Sequence, residues 1–208
     1  MTTIIKKTPL SQALILSSLA LAVSACQMPT DSIKPPPNSG DATTPLPKPP
    51  TTSQPTLPIA SWSKAAISRS QTDAVYFQEW AQSQTKNTCP MLALPKNANA
   101  QIKGHSVRRA NFSGGWGVAY DLPNERSAYG VANAGTLQAG EQVYNSWPYN
   151  IVYQDGSTAG YGHEGGDPSA KWLAYVVIPE NRCFYNVWSA QGQFHLEQML
   201  LELRRVKP

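Results

Sequence analysis

The densest set of reactive side chains lies in Asp155–Pro168 (DGSTAGYGHEGGDP), where His163, Glu164 and Asp167 fall among five glycines. An imidazole can exchange a proton near neutral pH, and two carboxylates beside it can orient it or hold a cation. A hydrolase using His163 with Glu164 or Asp167 is therefore one reading. The spacing HEGGD matches no known metal-ligand pattern and brings no nucleophile with it. The plainer reading is a polar surface loop with turn glycines, and long Gly-rich loops between strands are where binding residues tend to sit.

A second segment, Asn111–Tyr120 (NFSGGWGVAY), sets Trp116 among Gly114, Gly115 and Gly117. Glycine inside a strand marks a bulge or the close approach of another group. Trp116, with Tyr120, Tyr129 and Tyr161, makes either an aromatic platform for a sugar or peptide or part of the core. Arg108 and Arg109 suit an anionic group, but adjacent strand residues point to opposite faces and do not form a joint site. His105 and His195 stand alone, and His195, next to Leu196, reads as a surface or boundary residue.

The elements that must position these residues follow from periodicity. Thr72 or Asp73 can cap a helix through AVYFQEWAQSQ, with Ala74, Phe77 and Ala81 on one stripe and Val75 and Trp80 beside it. Strands are expected at Ser106–Phe112, Gly115–Leu122, Ser127–Ala132, Tyr149–Gln154, Trp172–Ile178 and Cys183–Ser189. Pro123–Arg126 and Pro179–Arg182 turn two hairpins. After Gly192, Leu196, Met199, Leu200 and Leu203 repeat at helical spacing through FHLEQMLLELRRV, with Arg204, Arg205 and Lys207 near the helix's negative end. The expected fold is α+β: a mostly antiparallel sheet of about 5–6 strands with an N-terminal and a C-terminal helix packed on it.

Composition limits the function. The 208 residues carry 17 Lys+Arg and 13 Asp+Glu, a formal charge of +4, but from Ser61 onward 13 basic residues face 11 acidic ones. A domain at +2 gives little reason to expect a nucleic-acid partner. No nucleophile elbow, metalloprotease helix, P-loop or dinucleotide fingerprint occurs, so neither a cofactor nor a metal is expected. Ten of the 18 prolines lie between Pro29 and Pro58, where there is no hydrophobic period. Residues 26–60 therefore read as a linker of polyproline II character, reaching about 100 Å if fully extended. Residues 61–208 hold all six tryptophans and read as one domain.

At the start, Lys6 and Lys7 precede the apolar run Leu10–Ala25, too short for a membrane span and fitting a signal peptide over residues 1–25. The run closes as Val23-Ser24-Ala25-Cys26. This resembles the lipobox of bacterial lipoproteins, and the resemblance covers only the first 26 residues. It implies a diacylglycerol thioether on Cys26, cleavage before it, and firm attachment once two or more acyl chains are present. Gln27 in place of Asp implies outer-membrane sorting in a Gram-negative bacterium. With Cys26 committed to lipid, Cys89 and Cys183 are expected to pair as a disulfide, since neither has a CxxC partner or a nearby His for metal or nucleophilic work.

Three functions remain open. One is a non-catalytic binding module for a protein, cell-wall glycan or outer-membrane component. The others are the hydrolase and an accessory subunit of an envelope assembly or secretion system.

Overall fold

A computed structural model describes residues 56–141 and 147–207. The lipobox, Cys26 and most of the proline-rich linker lie outside the described residues. Among the described residues no helix is long and apolar enough to cross a membrane. The fold is α+β, built on a seven-stranded antiparallel sheet in the order β2-β3-β4-β8-β7-β6-β5. Its strands are β2 (Ser106–Arg109), β3 (Trp116–Leu122), β4 (Glu125–Thr136), β5 (Tyr149–Val152), β6 (Thr158–His163), β7 (Trp172–Ile178) and β8 (Cys183–Ser189). Helices α1 (Ala74–Gln82) and α2 (Gln193–Glu202) pack on it, α1 against β2 and β3, α2 against β7 and β8.

Seven strands form instead of five or six because the middle of the glycine-rich stretch, Thr158–His163, is strand. In β6, Ala159 and Tyr161 face the core while Gly160 and Gly162 face the other way. Those two glycines mimic turn residues in the sequence, yet Gly162 is there for space: a Cβ would sit 2.9 Å from Pro148 and 3.1 Å from Trp147. The two hairpins form where expected, β3–β4 and β7–β8.

Helix α1 starts because the Asp73 carboxylate accepts the Val75 N–H at 3.0 Å, one of the donors a helix start leaves unpaired. Its fully buried side chain is Tyr76, with Val75, Phe77 and Trp80 partly buried beside it. The expected stripe of Ala74, Phe77 and Ala81 is thus rotated toward Tyr76, and Ala74 is exposed.

In α2 the expected stripe holds, with Leu196, Met199, Leu200 and the following Leu203 all buried. The helix ends at Glu202, however, and does not run on through Val206. Arg204–Arg205 form β9, which pairs with β1 (Leu92–Ala93), and the Val206 N–H donates to Met91 O at 2.9 Å. Two further helical residues would have lost this ladder and the burial of Val206. Arg204 still meets the helix end, donating to the Leu201 and Leu203 carbonyls.

The N-terminal edge of the domain is fixed by Trp62, which is fully buried and donates to Ser157 Oγ at 3.0 Å, and by Ser61, whose hydroxyl donates to Leu200 O. Cys89 and Cys183 form a disulfide with Cα atoms 5.6 Å apart. Beside it, buried Asn133 supports an irregularity in β4. Its amide donates to Phe184 O and Gly135 O, and its Oδ1 accepts from the Thr85 hydroxyl at 2.7 Å.

Candidate binding site

Strand alternation gives the sheet two unlike faces. The helix side carries Val107, Tyr120, Tyr129, Val131, Val187 and Ala174. On the other side, cross-strand rows run Arg108–Ala119–Gly130–Trp188–Leu173–Gly162 and Gly117–Ala132–Asn186–Tyr175–Gly160. Among the described residues no helix covers these rows, and their floor is mainly glycine and alanine.

The small residues let rings lie on the backbone. A Cβ on Gly130 would fall 2.1 Å from the Trp188 ring, and one on Gly117 would fall 2.7 Å from Phe112. Phe112 stacks on Trp188 with centroids 5.9 Å apart, and Tyr175 touches both Trp147 and Phe184 at about 5 Å between centroids. The indole of Trp188 is 5% exposed and fixed by its N–H donating to Ser127 O at 3.1 Å. Phe112, Tyr175 and Trp188 line a groove of about 430 Å³, within the usual range for ligand sites.

The groove is polar where it matters. Asn186 lies in its floor, and the Oδ1 of Asn186 is one of two buried side-chain polar atoms without a hydrogen-bond partner among the described residues. Arg108 reaches Asp121 at 2.7 Å and Ser127 Oγ at 2.6 Å, so its charge is spoken for. That guanidinium, with the Ser127 N–H, holds the Asp121 carboxyl below the usual range. Lys171 pairs with Glu164 at 3.6 Å. Arg126, exposed on the rim, makes no ion pair among the described residues.

Few of the residues flagged in the sequence share this site. Glu164 lines the groove. His163 sits on the helix side at the end of β6, tilted on Trp172 at 4.4 Å, its Nδ1 bonded to Ala170 O at 2.9 Å. Asp167 is turned back on its own loop, accepting the Ser169 N–H and hydroxyl, and these bonds lower its pKa. The trio does not converge, and among the described residues no three His, Cys, Asp or Glu side chains are placed to hold a metal.

The expected platform is also distributed differently. Trp116, Tyr120 and Tyr129 are buried on the helix side, Tyr120 stacked on Tyr129 at 4.5 Å and donating to the Tyr76 hydroxyl at 3.2 Å. Burial pushes the Tyr120 phenol up. Tyr161 is buried too; its hydroxyl donates to Glu197 at 2.9 Å, and desolvation, then that carboxylate, raises its pKa. Arg108 and Arg109 do part to opposite faces, as strand geometry requires.

Phe112, Tyr175, Asn186 and Trp188 escaped notice in the sequence. The signal for them was the alternation Gly117-x-Ala119, Gly130-x-Ala132 and Gly160-x-Gly162, which marks one face stripped of side chains.

Another unforeseen pair is Ser189 and His195. The Ser189 hydroxyl donates to Nδ1 at 2.9 Å, and the Nε2–H donates to Ala100 O at 2.8 Å. Ser189 is fully buried and its hydroxyl is already engaged by His195 and the Gln191 N–H, so the pair serves the core. Burial, which denies water to the charged ring, holds the His195 pKa below 6.5 against the opposing effects of the Ala100 carbonyl and the Glu202 carboxylate. In this window the unfolded chain binds the proton more readily, so stability falls as pH drops from about 6.5 toward the folded value. Asp121 acts separately, below 3.8. Urea unfolding across mildly acidic pH, with ring titration by NMR, checks this; a His195 midpoint above 6.5 would contradict it.

No family model, curated protein or solved structure matches the chain.

Proposed function

We propose that the chain is an exported lipoprotein, held through Cys26 in the outer membrane, whose domain binds cell-wall glycan without catalysis. The linker sets the domain away from the bilayer, and the open sheet face makes the contact. The observation that supports this reading is the groove itself: aromatic walls, and an amide in the floor with an unanswered acceptor. Sugar rings offer C–H faces to aromatics and hydroxyls or acetamido N–H groups to such an amide. The guanidinium of Arg126 and the Glu164–Lys171 pair then meet charged substituents at the rim.

A sacculus-binding experiment with two variants tests it. Asn186→Leu keeps a branched side chain and removes an unpaired buried acceptor, so stability should stay level or rise by about 1 kcal/mol. Binding to isolated sacculi should nevertheless weaken by about tenfold or more. In cells given labelled palmitate, the wild-type chain should carry label in the membrane fraction and Cys26→Ser should carry none. Full sacculus binding by a stable Asn186→Leu protein would overturn the glycan reading, and a labelled Cys26→Ser protein would overturn the anchor.

The accessory-subunit reading draws on one observation. Phe194 and Leu201, seven residues apart on α2, are 75% and 59% exposed. A second envelope protein could cover them without touching the groove.

A further inference from the structure

The other unpartnered buried atom lies across the sheet from the groove and gives the Asn111–Gly115 segment a role of its own. This segment turns from β2 into β3, with Gly114 at φ 74°. Gly115 is pressed so close to β4 that a Cβ would fall 1.8 Å from Asn133 O. The turn is thereby held opposite the last turn of α1, and a cavity of about 370 Å³ lies between them. Its wall includes Trp116, Arg109, Asn111, Glu79 and Gln82.

Trp116 is 1% exposed, and its Nε1–H has no acceptor among the described residues. Three other indoles in the domain are satisfied: Trp62 donates to Ser157, Trp80 to Cys89 O and Trp188 to Ser127 O. A buried donor left without a partner is rare in proteins and calls for a specific cause, a ligand among them. The charges beside it are also unspent. Glu79, half-buried, forms no ion pair or hydrogen bond among the described residues, and Arg109 reaches only Asn111 Oδ1 at 3.5 Å. Glu79 and Arg109 are not paired with each other.

A cavity that holds a carboxylate and a guanidinium apart, with amides beside them and a buried N–H in the wall, is complementary to a ligand with both charges. A purely anionic ligand would meet Glu79 and a purely cationic one Arg109. We propose that this cavity binds a small zwitterion, a free amino acid or dipeptide. The ligand carboxylate accepts from Trp116 Nε1–H and from Arg109, and its ammonium group meets Glu79. The three groups that hold the ligand, Trp116, Arg109 and Glu79, do not line the open-face groove, although Ala110, Asn111 and Phe112 line both cavities.

The test is a titration of the full-length protein, with 15N-labelled tryptophan, by alanyl-alanine. One indole N–H resonance should move downfield and saturate, and Trp116→Phe, which keeps the ring buried but has no donor, should lack that resonance. Glu79→Gln should weaken binding by about tenfold or more, since a charge-assisted contact is lost. N-acetyl-alanyl-alanine amide, which has neither charge, should not bind. The proposal is overturned if no indole resonance moves up to about 10 mM dipeptide, if the blocked dipeptide binds equally, or if Glu79→Gln binds like the wild type. Should Trp116→Phe not fold, Glu79→Gln and the blocked peptide still decide the matter, because both leave the indole in place.

Discussion

Replacing Cys89 and Cys183 together by alanine should lower the unfolding free energy by about 4 kcal/mol and the melting temperature by about 10 °C. The bond spans 94 residues, most of the folded domain, so it removes a large loop-closure entropy from the unfolded chain. On the native side, the same junction is held by other contacts. Asn181 donates to Thr88 O at 2.8 Å, and the Tyr185 hydroxyl donates to Pro90 O at 2.6 Å. Both sulfurs belong to residues that are buried. The double variant should therefore fold to the same structure and be less stable, with the effect entering chiefly through the unfolded state. Urea unfolding of the wild type with and without reductant gives the same comparison without mutation. Coincident curves would show that the crosslink contributes nothing.

Gly130→Ala is the other large effect expected. The added methyl would lie 2.1 Å from Cζ2 of Trp188 and 2.6 Å from Val118 O, distances that van der Waals radii forbid. Trp188 cannot swing aside cheaply, since Phe112 is stacked on it and its N–H is bonded to Ser127 O. Overpacking of this kind costs about 1–3 kcal/mol, and displacing the indole adds about 1 kcal/mol for the lost hydrogen bond. A total of about 3 kcal/mol is expected by denaturant unfolding. The cost of Gly130→Ala should shrink in a Trp188→Ala background, because the main clash is gone while that with Val118 O remains. Simple additivity of the two changes would mean that glycine is not there to seat the ring.

Some elements were legible because they rest on local rules. The α2 stripe, the Asp73 cap, the β3–β4 and β7–β8 hairpins and the separation of Arg108 from Arg109 all follow from periods of 3.6 or 2 and from turn chemistry. β6 was not legible, because Gly160 and Gly162 carry the mark of a turn, whereas the reason for Gly162 is its closeness to Trp147 and Pro148, residues outside the local window. The end of α2 was missed for a similar cause: Arg204–Arg205 pair with Leu92–Ala93, more than a hundred residues earlier, and local propensity says nothing of that ladder.

The site divides in the same way. Residue order alone yielded an α+β chain with an antiparallel sheet, and left exactly two cysteines for each other once Cys26 is read as a lipid attachment. Both follow from side-chain chemistry and short-range spacing. Which aromatics form the core and which roof the open face depended on register, since one step along a strand moves a side chain from one face to the other. So did the partition of His163 from Glu164, and the isolation of Asn186 Oδ1 and Trp116 Nε1 from any partner among the described residues. An unanswered hydrogen bond is a property of a packed environment, and it exists only after distant strands have been brought side by side.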